Sequence, residues 1–371
     1  MKPRSRSGPK AAPSATPSAT PSATRSASAA RAAAAAPAAG TATLAMVAEA
    51  AGVSPSTVSR ILNGTAVVSP DKAAAVEAAI KQLGFRPNPV ARGLAGGRTM
   101  SIGVLTQTVS SPFYGEALLG IEDVLERAGY IPLFVSGHWA EAEERKALEA
   151  LMLRRVDGLL VLAGRLPDKV LQAYARQLPM VVVGRRLHGP QLFSLNFENR
   201  AGAYLGTQHV IDLGHRRIAY ISGDPGHEDA LQREAGYREA LQHAGIAYDA
   251  SLVMPGDFTE AGGMMAVNRL LDSRAAFTAI VASNDQAAIG ALLGLYRRNV
   301  RVPDDVSIVG FDDVAPARFC IPPLTTVRQS VYETGAIAAR CMLEMLQGQV
   351  PSAELPPPTL TPRESTRRLV R

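Results

Sequence analysis

The chain has 371 residues, 47% of them hydrophobic and 19% charged, with a formal net charge of +6; that is enough apolar chain for two or three compact units. No run of about 18 consecutive apolar residues occurs, which argues against a membrane span, and Cys320 and Cys341, the only cysteines, form no cluster that would suggest a disulfide framework or a zinc site. The net charge is a weak pointer to a polyanionic partner, because residues 1–40 hold six basic side chains and no acid, leaving the rest of the chain balanced.

Residues 1–40 are mostly Ala, Pro, Ser and Thr, with three tandem Pro-Ser-Ala-Thr units from Pro13 to Thr24. Such a segment cannot bury enough surface to offset its ordering entropy. Lys2, Arg4, Arg6 and Lys10 are basic, yet no run of Leu, Ile, Val or Phe follows to make the apolar stretch of an export signal. A disordered cytoplasmic extension is expected.

Residues 41–86 read as a three-helix unit. Leu44, Val47, Ala48 and Ala51 follow i, i+3, i+4, i+7 spacing behind Thr43, a suitable N-cap. Gly52 ends that helix, Val53 offers an apolar plug, and Ser54-Pro55 restarts the chain as N-cap and first helical residue, where proline needs no amide partner. The second helix turns Val58, Ile61 and Leu62 one way and Pro55, Ser56, Ser59 and Arg60 another. A third is predicted from Pro70, capped by Ser69, with Val76, Ile80 and Leu83 on one face and a stop at Gly84. The polar face of the second helix is the candidate base reader, since the major groove admits one helix and Arg60 can reach a guanine edge. Any small three-helix bundle shows this spacing, so periodicity by itself leaves DNA binding at even odds with simple packing.

The string Thr43-Leu44, Val47-Ala48, then Ala51-Gly52-Val53-Ser54-Pro55-Ser56-Thr57-Val58-Ser59-Arg60-Ile61-Leu62-Asn63-Gly64 resembles the headpiece signature of the LacI/GalR family. The resemblance implies that Pro55 and Ser56 sit where the family reads bases, with Arg60 a turn later, while Thr57, Ser59 and Asn63 position phosphates or backbone. Residues 87–98 follow as a hinge: Arg86-Pro87 is a start signal, Gly96-Gly97 a stop, and the eight or so helical residues between, Arg92 among them, are marginal in water. Gly93 weakens that helix further, so it is expected to order only on DNA. The resemblance implies paired hinge helices in the minor groove, with Leu94 as the wedge between base pairs.

From residue 99 onward, β-branched runs alternate with helical stretches. Ser101–Leu105, Ile131–Val135, Gly158–Leu162 and Met180–Val183 form one series, and Ile218–Ile221, Leu252–Met254, Ala279–Ala282 and Ser307–Phe311 a second. That rhythm predicts parallel, doubly wound sheets in two similar lobes, and ligands in such folds sit beyond the strands' carboxyl ends. Phe113 and Tyr114 are candidates for stacking on a ligand face, core packing being the equal alternative. Asn284 and Asp312 follow their strands directly and can hold hydroxyls; helix N-capping is the alternative, and for Asp285 the preferred one. His215, in Gly214-His215-Arg216-Arg217, reads as a structural turn residue. Trp139, the only tryptophan, receives no role from its pattern.

The stretch from Thr43 to the C-terminus is similar to the same family, whose sensor domain shares the type I periplasmic-binding-protein fold. The resemblance implies that Arg233 and Phe258 clamp the effector, with His227 and Asp229 at neighbouring positions that vary with ligand. It also makes a sugar the expected effector, a purine nucleobase the alternative, with induction and co-repression both open.

An enzyme is disfavoured: no Gly-x-Gly-x-x-Gly follows a strand, no phosphate loop ends in Gly-Lys-Ser/Thr, and no nucleophile, base and orienter stand together. A sugar-binding component of a transporter needs an export signal and has no use for a helix-turn-helix. No heptads accompany the last strand-like segment, Pro351 to Arg371, so no tetramerising coiled coil is expected. The sequence therefore predicts a cytoplasmic homodimeric regulator binding a near-palindromic operator in double-stranded DNA, with no cofactor, metal or membrane partner.

Overall fold

The computed structural model describes residues 42–62, 68–85 and 98–369. The chain divides into two units, Met1–Pro87 and Asn88–Arg371. The tail of residues 1–40, Asn63, and the hinge residues Arg92 and Leu94 lie outside the described residues.

Among the described residues, the first unit holds three helices: α1 (Leu44–Ala50), α2 (Pro55–Leu62) and α3 (Pro70–Leu83). Val47, Ala48, Val58, Val76 and Ala79 form its buried core, with Leu44, Val53, Ile61, Ile80 and Leu83 packed around it. Thr43 caps α1, its hydroxyl accepting from Met46 N at 3.3 Å, an interaction worth about 1 kcal/mol. Ser69 occupies the N-cap position of α3 but makes no side-chain cap bond, contrary to the sequence expectation. Its backbone carbonyl serves instead, accepting from Lys72 N and Ala73 N. Gly84 closes α3 at φ +60, a left-handed conformation that glycine adopts without a Cβ penalty.

The second unit has two sheets. The first, in the order β2-β1-β3-β4-β5, comprises β1 (Ser101–Thr106), β2 (Ile131–Ser136), β3 (Gly158–Leu162), β4 (Met180–Val183) and β5 (Leu192–Leu195), all parallel. The second, β11-β10-β9-β8-β6-β7, comprises β6 (Ile218–Ile221), β7 (Val253–Met254), β8 (Ala279–Ala282), β9 (Ser307–Asp312), β10 (Thr325–Arg328) and the antiparallel β11 (Thr359–Thr361). All eight predicted strand runs are present within a residue or so. Strands β5, β10 and β11 are additions, of four, four and three residues, too short to give a clear periodic signal.

Helices α4 (Pro112–Arg127), α5 (Glu141–Leu153) and α6 (Asp168–Ala175) belong to the first lobe, and α7 (Asn199–Asp212), α8 (Glu228–His243), α9 (Glu260–Asp272) and α10 (Asp285–Arg297) to the second. The last helix, α11 (Val331–Leu346), follows a second-lobe strand yet packs in the first lobe's core with α4. The chain thus crosses between lobes three times, at residues 196–198, 329–330 and 347–358. No helix among the described residues is long and apolar enough to cross a membrane.

Candidate functional site

In the helical unit, burial of Val58 against α1 and α3 turns the other side of α2 outward: Pro55, Ser56 and Arg60 are exposed, while Thr57 and Ser59 are half-buried. The Ser54 hydroxyl organises the helix start, accepting from Thr57 N at 3.2 Å and lying 2.8 Å from both the Ser56 and Thr57 hydroxyls. Arg60 Nε donates to Ser56 O at 3.4 Å, which draws the guanidinium along the exposed face. A short row of hydroxyls ending in a guanidinium matches what phosphates and base edges accept and donate.

In the larger unit the strands' carboxyl ends meet across a cleft. Arg233 of α8 is 4% exposed and held at all three guanidinium nitrogens: Nη2 lies 3.3 Å from Asp312 Oδ1, Nε donates to Asn199 Oδ1 at 2.8 Å, and Nη1 donates to Ser283 O at 2.7 Å. Its guanidinium rests 3.9 Å from the Phe311 ring centroid and 5.7 Å from that of Phe258. Asp312 closes β9 at φ +111, a rare conformation for a residue with a Cβ, and also accepts from Gln329 Nε2 at 3.0 Å. Burial pushes its carboxyl up to about 6, against the pull of Arg233 and Gln329. Asp229, which accepts from Asn199 Nδ2 at 2.8 Å, is also raised by burial, opposed by Arg233 and Asn199.

An aromatic row crosses from one lobe to the other. Phe113 meets Tyr114 edge-on at 5.3 Å, Tyr114 lies 6.3 Å from Trp139, Trp139 stacks on His227 at 3.7 Å, and His227 lies 5.6 Å from Phe258. Burial holds the His227 imidazole below its ordinary pKa, so the ring is neutral near pH 7. Gln107 aims Trp139: its Oε1 accepts from Trp139 N at 2.9 Å and its carbonyl from His138 N at 3.0 Å, holding both residues at positive φ. The lobes are also joined by the Arg165–Asp224 ion pair, by Ser111 Oγ to Gln286 Oε1 at 2.9 Å, and by Ala315 N donating to Glu116 Oε1 at 3.2 Å.

Two cavities adjoin this row. An outer one of about 640 Å³ is bordered by Arg185, Arg186, Phe197, Asn199, Asp229 and Gln232. An inner one, against Phe113, Tyr114, Phe197 and Asp229, is only about 20 Å³, room for a single water. Among the described residues, five buried polar side-chain atoms lack a partner: Thr106 Oγ1, Gln107 Nε2, Tyr220 Oη, His227 Nε2 and Ser283 Oγ. Each such atom costs about 1–3 kcal/mol; Thr106, Gln107 and Ser283 are at or just beyond strand ends, and His227 stands at the start of α8.

The structure therefore brings Phe113, Tyr114, His227, Asp229, Arg233, Phe258 and Asp312 into one neighbourhood. Asn284 is beside them but committed: it is the residue that caps α10, accepting from Ala287 N at 2.9 Å while donating to Phe258 O at 2.9 Å. This corrects the expectation that Asp285 is the cap. Asp285 instead accepts from Thr326 Oγ1 and from Val314 N at 2.9 Å, and burial raises its pKa well above the ordinary value. His215 is structural, bonded to Thr278 Oγ1 and Arg367 O. Sequence reasoning missed Trp139, Asn199, Arg165 and Gln329. Trp139 and Arg165 were within reach of the strand-end rule, three residues past β2 and β3; Asn199 and Gln329 follow β5 and β10, which the sequence pattern did not predict.

Both units have counterparts among known proteins. The family described as bacterial regulatory proteins, lacI family, matches residues 43–88, and the family described as periplasmic binding protein-like domain matches residues 207–366. The chain is 37% identical over 328 residues to the HTH-type transcriptional regulator GalR of Escherichia coli strain K12, covering 87% of this chain and 95% of that protein. The lac repressor dimer bound to operator and the anti-inducer ONPF matches with a TM-score of 0.80 at 30% identity, over 88% of this chain and 100% of that one. The complex of the transcriptional regulator CelR with cellobiose matches with a TM-score of 0.66 at 35% identity, over 87% of this chain and 99% of that one. With a helix-turn-helix unit, a two-lobed binding-protein core and relatives that are regulators rather than enzymes, the chain belongs to the lacI family of bacterial regulatory proteins and is a DNA-binding transcriptional regulator.

Proposed function

We propose that this protein is a cytoplasmic homodimeric repressor whose hold on a near-palindromic operator is controlled by a sugar bound in the cleft of residues 99–371. In this reading residues 41–86 are the reader. Pro55, Ser56 and Arg60 face base edges, and Thr43, Ser54, Thr57, Ser59 and Asn63 position the backbone. Arg92 and Leu94, in the hinge of residues 87–98, engage the minor groove.

The observation that carries the effector assignment is the buried Arg233–Asp312 pair beside an aromatic row. Rings for a sugar's C–H faces next to a carboxylate and a guanidinium for its hydroxyls are the two chemistries a pyranose needs. The cellobiose complex of CelR supports the same class. Control requires only that the sugar prefer one lobe arrangement over the other. The test is selection of bound duplexes from a random library by the full-length protein, then titration of the selected duplex complex with neutral sugars. Recovery of a near-palindrome whose affinity one of those sugars changes is the expected result; an enriched site indifferent to every sugar overturns the effector assignment.

A further inference from the structure

We propose that Trp139 and His227 are the two jaws of the effector site, and that a neutral sugar ring binds by entering between them and parting the stack. The inference rests on the cleft being the effector site and names the residues that select its occupant.

Three observations carry it. First, the rings face each other from opposite lobes with centroids 3.7 Å apart, so no ring fits between them as they stand, and the inner cavity of about 20 Å³ beside Tyr114 has no room for one either. Second, His227 Nε2 is buried without a hydrogen-bond partner; its nearest carboxylate, Asp224, is 3.7 Å away. Nearby strand ends contribute Thr106 Oγ1, Gln107 Nε2 and Ser283 Oγ in the same condition. Buried polar groups are ordinarily satisfied, and hydroxyls, which donate and accept, satisfy all of these types. Third, the two arginines at this row are each already paired with a carboxylate, Arg233 with Asp312 and Arg165 with Asp224, while the nearby carboxylate Asp229 is held by the Asn199 amide. Neither arginine is left for a phosphate, which a carboxylate at Asp229 would also repel, and this favours an uncharged polyol over a sugar phosphate.

The occupant's thickness sets a consequence. A sugar ring between the jaws roughly doubles their separation, so binding unstacks Trp139, the only tryptophan of the chain, and its emission reports the event. The outer cavity at Arg186 is the rival location and supplies the control.

The experiment is calorimetric and fluorescence titration of the full-length protein with glucose, ribose and cellobiose, with ribose 5-phosphate and glucose 6-phosphate, and with hypoxanthine. A neutral sugar is expected to bind, to shift Trp139 emission, and to change operator affinity in parallel. Trp139→Ala and His227→Phe are each expected to weaken that sugar at least tenfold; Trp139→Phe, which keeps a ring, and Arg186→Ala are expected to stay within threefold. Preference for a phosphate or for hypoxanthine overturns the proposal. So does a tenfold loss in Arg186→Ala with Trp139→Ala unchanged, which places the ligand in the outer cavity while sparing sugar control. Operator affinity that responds to none of the neutral sugars sinks the effector reading itself, and the jaws with it.

Discussion

Arg233 Nη2 stands 3.3 Å from Asp312 Oδ1, a buried ion pair that ties the second turn of α8 to the last residue of β9. Its partners are shared: Asn199 and Ser283 accept from the arginine, and Gln329 donates to the carboxylate. The pair thus joins the carboxyl ends of β8 and β9 to the starts of α7 and α11.

Replacing Arg233 with Met should destabilise the core by about 3–5 kcal/mol near pH 7.5, because it leaves a buried carboxylate and two acceptors unpaired. The penalty should shrink at pH 5. Asp312 titrates near 6 in the folded protein, above the value of about 3.9 for an exposed aspartate. The folded state therefore takes up the proton first, and this group favours folding more as pH falls through 6. Urea unfolding of wild type and variant at the two pH values measures this; an equal penalty at both removes the uncompensated charge as its cause.

Sugar affinity should rise between pH 5 and pH 7 with a midpoint near 6, since the ionised Asp312 carboxylate accepts stronger hydrogen bonds from hydroxyls than the protonated acid. Asp312→Asn should weaken binding and flatten that profile. A wild-type profile already flat across this range would show that Asp312 does not touch the ligand.

Arg60→Ala should cost about 1–3 kcal/mol of operator binding, roughly five- to 150-fold, if its guanidinium reads a base. Competition between the selected duplex and one altered at a single position gives the decisive number. A uniform loss across all duplexes would reassign Arg60 to phosphate contact.

Gly335→Ala should destabilise the first lobe by about 1–3 kcal/mol. A Cβ there would fall 2.0 Å from Ala117 O, and the facing Gly120 is equally confined, 2.1 Å from Tyr332 O. Thermal unfolding checks it; a wild-type Tm in the variant would mean that α4 and α11 do not meet at this spacing.

The sequence by itself determined what depends on local spacing. The three-residue and four-residue steps in 44–83 could bury only one face of each helix, which fixed the headpiece core and left Ser56 and Arg60 outside. The apolar runs of the core were legible as strands because a strand buried on both faces needs side chains of one kind throughout. Tertiary structure decided the rest, because those relations join residues far apart in the chain. Nothing local sends α11 back across the cleft to α4, since its apolar face would suit either lobe; the glycines that admit it, Gly120 and Gly335, read locally as weak helix positions. Asn284 and Asp285 are neighbours with similar side chains, and only Thr326 and Phe258, folded against them, assign one to a strand junction and the other to a cap. Trp139 and His227 are 88 residues apart, and their stacking exists only because β2 and β6 end on facing lobes of one cleft.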